Sequence, residues 1–173
     1  MTDASNGSPI AGVWIGANAI QGSGNSDANT DSDGWYTIRG VAPGTYTIKA
    51  HADGEGYVQQ YYAGGHTSTN AGLVTVTGAD AIKGIDLVMT RGAAIFGRIT
   101  DAATGQPISG MNLSARPIGD DQMAWASTNT NDTFALRALP DGVVGVIVQG
   151  QGYLEVRKTV TIVDGEDVTD FNF

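Results

Sequence analysis

Asp27, Asn29, Asp31 and Asp33 stand two residues apart and run into Gly34, a spacing of side-chain oxygens that could coordinate calcium. Such a site needs about six to eight oxygens at about 2.3–2.6 Å, and the helix-flanked version carries a bidentate glutamate at its twelfth position. Counting from Asn29 puts Gly40 there. The helical calcium loop therefore fails, and calcium stays a weak alternative to a solvated turn built from the same residues. Asp164-Gly165-Glu166-Asp167 reads as a polar hairpin turn. A second group is aromatic: Trp14, Trp35, Tyr61, Tyr62 and Trp125. Trp14 and Trp35 fall on the outward phase of their strands, where flat rings stack on sugars or anchor a protein partner. Packing as cross-strand pairs is the bland alternative. His66, beside Gly64-Gly65, is a further binding candidate or a solvated loop histidine. The chain has two histidines, no cysteine, no Gly-x-Ser-x-Gly turn and no metal-type histidine spacing, so no catalytic residues and no enzyme are expected.

The elements that must position these residues are short strands. The chain of 173 residues has 25 glycines and only 16% charged residues, a composition suited to strands joined by tight turns. Its 18 Asp and Glu against 9 Lys and Arg exclude nucleic acid and anionic membrane surfaces, which demand clustered positive charge. No apolar run approaches the ~20 residues that span a bilayer, and no signal peptide is present. Val13, Ile15 and Ala17 alternate with Trp14 and Gly16, which predicts a half-buried strand over 9–17. The polar stretch 21–33 reads as a loop or an irregular edge whose backbone stays solvated. Trp35 to Ile38 reads as a strand, and Thr45 to Ala50 as a strand with Tyr46, Ile48 and Ala50 inward. Residues 59–73 read as a long loop, with closing strands at Val74–Val76 and Ile82–Met89.

The pattern then recurs. Pro9-Ile10 answers to Pro107-Ile108 and Tyr36-Thr37-Ile38-Arg39 to Phe134-Ala135-Leu136-Arg137, an offset of 98. The offset falls to 96 at Gly56-Tyr57 against Gly152-Tyr153, and to 86 at Ile85-Asp86-Leu87 against Phe171-Asn172-Phe173. The first unit therefore carries extra residues near 53–55 and in 59–73, where insertions tend to place function. Strands are expected in the second unit at 94–99, 108–115, 124–128, 133–137, 143–149, 156–163 and 168–173. That makes two units, 1–91 and 92–173, each an antiparallel Greek-key β-sandwich of about seven strands. The first lacks the opening strand that Ala94 to Ile99 supplies in the second. The join between them is too short for a flexible tether, which suggests end-to-end sandwiches acting as a spacer.

Thr104-Gly105-Gln106-Pro107-Ile108-Ser109-Gly110 and Asp31-Ser32-Asp33-Gly34-Trp35-Tyr36 through Thr45-Tyr46 resemble the carboxypeptidase regulatory-like domain. That domain is transthyretin-like, and is similar to Cna B-type adhesin repeats and to the starch-binding-domain-like superfamily. The resemblance covers nearly the whole chain and implies an all-β, prealbumin-like fold. In the second unit Asp132 stands for Gly34 and Val144 for Tyr46, so its assignment leans on the repeat. Cna B-type repeats often carry a Lys–Asn isopeptide crosslink; Arg98 occupies the neighbourhood of that lysine here, so none is expected.

The resemblance implies a non-catalytic structural or interaction module pair of a secreted or cell-surface bacterial protein, serving as spacer, adhesion or assembly unit. The alternatives are a carbohydrate-binding accessory, which needs Trp14, Trp35, Tyr61 and Tyr62 on one exposed face, and a filament subunit that accepts a strand from another subunit at its open edge. Protein partners, self-assembly through a sheet edge, or a polysaccharide are the partners expected, with no cofactor. A Met at position 1 of an exported domain fits a cut chain better than strand donation.

Overall fold

A computed structural model of the chain describes all residues except 22–23, 53–55, 79–80 and 121. It is all-β and divides into two compact units, Met1–Arg91 and Gly92–Phe173. In the first unit the strands are β1 (Thr2–Asp3), β2 (Trp14–Gln21), β3 (Ser26–Asn29), β4 (Gly44–His51), β5 (Gln60–Tyr61), β6 (Leu73–Val76) and β7 (Val88–Met89). One sheet runs β3-β2-β4, with β5 and β6 end to end along the far edge of β4, opposite 49–50 and 44–47. Alternation sets its inner face, where Val13, Ile15, Ala17, Tyr46, Ile48 and Ala50 are buried. The opposing layer carries β1 and β7, paired in parallel.

The second unit has β8 (Ala93–Arg98), β9 (Asn112–Pro117), β10 (Ala124–Ser127), β11 (Thr133–Leu139), β12 (Gly142–Gln149) and β13 (Val156–Ile162). Its first layer is β10-β9-β12-β13, with Leu113, Ala115, Val144, Val146, Val148 and Ile162 turned into the core. Its second layer is β8 between two neighbours. β11 pairs with it antiparallel, and residues 168–173 run beside it in parallel, through Phe96 N–H to Val168 O (2.8 Å), Phe171 N–H to Phe96 O (3.1 Å) and Phe173 N–H to Arg98 O (2.9 Å). The left-handed backbone of Asp170, φ +58°, interrupts that last segment, which is why the strand expected at 168–173 is a bridged, kinked run.

The registers of the two units superimpose through the repeat. Gly44 faces Val76 and Lys49 faces Tyr61, as Gly142 faces Ile162 and Ile147 faces Arg157. The insertion in the first unit thus splits one edge strand into β5 and β6. The loop between them, expected to be irregular, holds one 3-10 turn, Ser68–Asn70.

The polar stretch 21–33 resolves into the edge alternative: it contains β3, an edge strand paired with β2 from Trp14↔Asn29 to Ala17↔Ser26. Two expectations are corrected. Residues 35–38 are not a strand, and of 82–89 only Val88–Met89 are. The two share a cause: their second-unit counterparts, β11 and 168–173, are held by β8, and the described residues of the first unit include no strand at the place of β8, since β1 corresponds to Thr100–Asp101 just after it.

One buried hydroxyl in each unit ties the layers' connections together. Thr30 Oγ1 donates to Ile10 O (2.7 Å) and accepts Val13 N–H (2.9 Å). Thr128 Oγ1 does the same to Ile108 O (3.0 Å) and from Met111 N–H (2.9 Å). Valine at either position leaves a buried donor and acceptor unmet. We predict that Thr30→Val weakens the first unit, and Thr128→Val the second, by about 2 kcal/mol each. Hydrogen exchange of the β2 and β9 amides reads this; unchanged protection in the mutated unit would refute it.

Candidate functional site

The acidic ladder is divided by the fold. Asp27 and Asn29 lie on the exposed edge strand β3. Asp31 turns its Oδ1 onto the backbone N–H groups of Asp33 (3.0 Å) and Trp35 (2.9 Å), closing a turn in which Asp31 N–H meets Trp35 O at 2.8 Å. Asn129 builds the same turn in the second unit, its Oδ1 accepting from Asn131 (2.9 Å) and Thr133 (3.1 Å). An amide replaces the carboxylate without changing the geometry, so the turn uses the oxygen and not the charge. Among the described residues no three acidic or histidine side chains stand close enough to share a metal ion.

The aromatic candidates take different positions. Trp14 points outward from β2 and its indole reaches over Gly16; a Cβ on Gly16 would come within 2.2 Å of the ring. Gly16 is flanked by Asp27 on β3 and Lys49 on β4, and Lys49 by Tyr61 on β5, with Nζ 5.8 Å from the ring centre. Trp14 and Tyr61 therefore belong to one transverse row, but Tyr61 is only 6% exposed. Tyr62 packs against the core. Trp35 is 72% exposed and leaves the Asp31 turn in the opposing layer. The four do not make one exposed face. His66 Nδ1 sits 3.0 Å from Gln59 O while Gln59 Nε2 donates to His66 O at 3.0 Å, a reciprocal clasp across the inserted loop.

Two polar clusters were outside the sequence-based candidates. Asp3 is buried and accepts Ser5 N–H (2.7 Å), Ser5 O–H (2.6 Å) and Tyr57 O–H (2.6 Å); Arg91 lies 3.6 Å from it and caps the Tyr57 ring at 4.6 Å. The Ser5 hydroxyl first, then Tyr57 and the Ser5 amide, hold the Asp3 carboxyl down to about 2, and the same bond pushes the Tyr57 hydroxyl up. Asp101 repeats the pattern with Thr104 and Ala103, more weakly with Tyr153, and is also lowered. The recurrence of Asp3 and Tyr57 as Asp101 and Tyr153 was the available signal. In the second cluster Arg98 grips the fully buried Asp132 through Nε (3.2 Å to each carboxylate oxygen) and Nη2 (3.1 Å).

The shifted groups move away from neutrality: Asp3, Asp101 and Glu155 downward, Tyr57 upward, and Tyr36 upward to about 12 through burial and the nearby Asp86 and Tyr62. General acid–base work near pH 7 needs shifts toward neutrality. A shallow, open cavity of about 540 Å³ in the second unit is lined by Phe96, Arg98, Asn129, Phe134, Asp170 and Asn172, without histidine or cysteine. Among the described residues no helix is long and apolar enough to cross a membrane.

Tandem β-sandwich modules whose polar groups tie down their own turns are the class this geometry defines. The chain belongs to the carboxypeptidase regulatory-like domain family, whose sequence model matches residues 1–90 and again 94–173. No curated protein matches it. Among solved structures it is similar to the minor pilin GBS52 of Streptococcus agalactiae, at 14% identity and TM-score 0.43, over 97% of this chain and 84% of that one. It is similar to the shaft pilin spaA of Lactobacillus rhamnosus GG at 10% identity and TM-score 0.39, over 98% of this chain and 92% of that one. A third is the 5-hydroxyisourate hydrolase of Klebsiella pneumoniae, at 17% identity and TM-score 0.36, over 47% and 84%. The family assignment rests on the sequence model alone.

Because the folded Asp3 carboxyl is depressed below its unfolded value of about 3.9, its contribution is complete above that pH and is lost as pH falls toward about 2. Tyr57→Phe removes a donor, raises the Asp3 value and moves that loss to higher pH; carboxyl NMR titration with acid unfolding checks it, and an unmoved Asp3 refutes it. Asp31→Asn is expected to leave the first unit's stability within about 0.5 kcal/mol, while Asp31→Ala costs about 1 kcal/mol. Calcium should leave the thermal midpoint of the native chain unchanged, and a calcium-dependent rise that Asp31→Asn abolishes would restore the metal reading.

Proposed function

We propose that the tandem is a non-catalytic structural and interaction module pair of a secreted or cell-surface bacterial protein, in a spacer, adhesion or assembly role. The observation that carries this reading is that the chemistry-bearing groups are spent on the fold. Asp31, Asp3, Asp132 and His66 each bind backbone or a neighbouring side chain, and the shifted groups are poised away from neutral acid–base work. Membership of a regulatory-like domain family agrees with an accessory role. Polysaccharide binding has less behind it, because the aromatic set that would stack on sugars is split between a buried Tyr61, a core-packed Tyr62 and a Trp35 in the other layer. Antibodies raised against the two units should label intact, unpermeabilised cells that make the protein. Labelling only after lysis would overturn the surface reading.

A further inference from the structure

The outer face of the sheet β10-β9-β12-β13 takes no part in its unit's core, yet much of it is apolar. One row across it is Trp125-Ser114-Ile147-Arg157, and the next is Arg116-Gly145-Thr159. Met123 precedes β10 on the same outward phase, and Ile118 and Val143 follow at the sheet's end, joined by Ile118 N–H to Val143 O at 2.8 Å. Trp125 is 69% exposed and Ile118 72%, and Met123 and Val143 are exposed as well. The first unit shows what the fold itself requires here. At the offset of 98, Asp27 stands at the place of Trp125, Asn25 of Met123, Thr45 of Val143 and Lys49 of Ile147, and the register is the same, with Gly16 between Asp27 and Lys49 as Ser114 is between Trp125 and Ile147. A sandwich that accepts Asp, Asn, Thr and Lys at these places has no need of Trp, Met, Val and Ile there.

Gly145, at the place of Thr47, lies in the middle of this face. Two other strand-interior glycines are demanded by a neighbour: a Cβ would come within 2.2 Å of the Trp14 ring at Gly16 and within 2.2 Å of Phe171 O at Gly97. At Gly145 a Cβ would meet nothing nearer than Arg116 O, 3.8 Å away, and the backbone is not left-handed. Glycine inside a strand costs about 0.5–1 kcal/mol relative to alanine. Nothing within the unit offsets that cost, and such a glycine marks a place where another backbone comes close.

The registers fit a second copy of the chain. With a two-fold axis along β12, each β12 lies over the other and each β13 over the other copy's β9, in the aligned packing of two sheets. Val143, Gly145 and Ile147 then meet their own counterparts, Arg157 crosses Ser114 beside Trp125, and Arg116 crosses Thr159, so no arginine faces an arginine. Arg157 is already paired with Glu155 at 2.5 Å. Arg116 leans toward the sheet's end, its Nε 3.5 Å from Asp120 O. At that end β13 runs into exposed Asp164 and Glu166, in a turn held by Gly165 N–H to Asp141 Oδ1 at 2.8 Å, so the second copy sets carboxylates against Arg116. Four strands about 4.8 Å apart give a contact on the order of 1,000 Å² in total, the size of a weak, reversible association. We infer that the outer face of β10-β9-β12-β13 is a self-association surface on which two copies of the chain pack sheet to sheet across Gly145. The contact is one form of the assembly role proposed above, and its test on purified chain is independent of where the protein resides.

Sedimentation velocity of the full 173-residue chain should show a reversible monomer–dimer equilibrium between about 10 μM and 1 mM. Trp125→Ala should weaken the dimer about tenfold or more. Gly145→Ile suits a strand, so it should raise the unfolding midpoint of the second unit while abolishing the dimer. The chain has no cysteine, so single cysteines report proximity directly. A short bismaleimide should join two copies of Ile147→Cys and should not join two copies of Lys49→Cys, its counterpart in the first unit. A chain that stays monomeric to 1 mM overturns the inference, whether or not a polysaccharide or another protein binds the face. A dimer that survives Gly145→Ile, or that crosslinks equally through Lys49→Cys, overturns it too.

Discussion

Backbone pairing along both edges of a single strand holds the second layer of this sandwich together. In the second unit β8 meets β11 on one side and residues 168–173 on the other, and the side chains beneath it are fully buried. An extended chain must place its N–H and C=O groups somewhere, and without a central strand neither neighbour can form a ladder. The first unit makes the dependence visible. Tyr36-Thr37-Ile38-Arg39 has the same residue pattern as Phe134-Ala135-Leu136-Arg137, yet only the latter is a strand. The first layer does not depend on that strand. β2, β4 and the divided edge β5 and β6 keep the register of β9, β12 and β13, because a sheet of antiparallel neighbours supplies its own partners.

Polar side chains serve the same accounting. Thr30 and Thr128, Asp31 and Asn129, Asp3 and Asp101 recur as pairs, and each supplies oxygen to backbone N–H groups that turns leave without partners. The exchange of Asp31 for Asn129 separates oxygen from charge. What looks like a run of metal ligands is in part a device for closing a turn, and the net charge of −9 acts chiefly on solubility and association. The clusters that do use charge, Asp3 with Arg91 and Asp132 with Arg98, each bury a carboxylate against a largely exposed guanidinium. That arrangement satisfies the buried oxygens while leaving the arginine hydrated on its outer side.

How much could be read from the amino acids follows the range of the interactions. Val13, Ile15 and Ala17, and Tyr46, Ile48 and Ala50, are inward as their alternation requires, because period two is a property of each strand alone. β3 is legible only as a loop or an irregular edge because a strand of Ser, Asp, Ala and Asn has no apolar alternation; the offset of 98 onto Ala124–Ser127 decides between the two. Residues 35–38 show the opposite case: their pattern is strand-like, but among the described residues no strand pairs with them, whereas their counterpart β11 pairs with β8. Tyr61 and Tyr62 are adjacent on an extended chain and must face opposite ways, so they could not share one face. The clasp of Asp3, Tyr57 and Arg91 joins the start, middle and end of a unit, which no local pattern encodes.

The residues around the opening strand differ between the units in a mutually consistent way. Asp132 has a left-handed backbone, φ +62°, and a buried carboxylate whose charge is unfavourable there unless Arg98 is present to grip it. At the same place the first unit has Gly34, φ +73°, where a Cβ would come within 2.4 Å of Met1 O. Glycine meets the backbone demand without introducing a charge that needs an arginine. Phe134, covered by Gly97, is replaced by Tyr36, whose hydroxyl supplies a donor to a carbonyl on the far wall. A phenylalanine there would leave that carbonyl without the bond. Gly34 with Tyr36 and Asp132 with Phe134 are therefore two self-consistent pairs: the glycine needs no ion-pair partner for a buried charge, and the tyrosine hydroxyl meets a carbonyl that phenylalanine would leave unbonded.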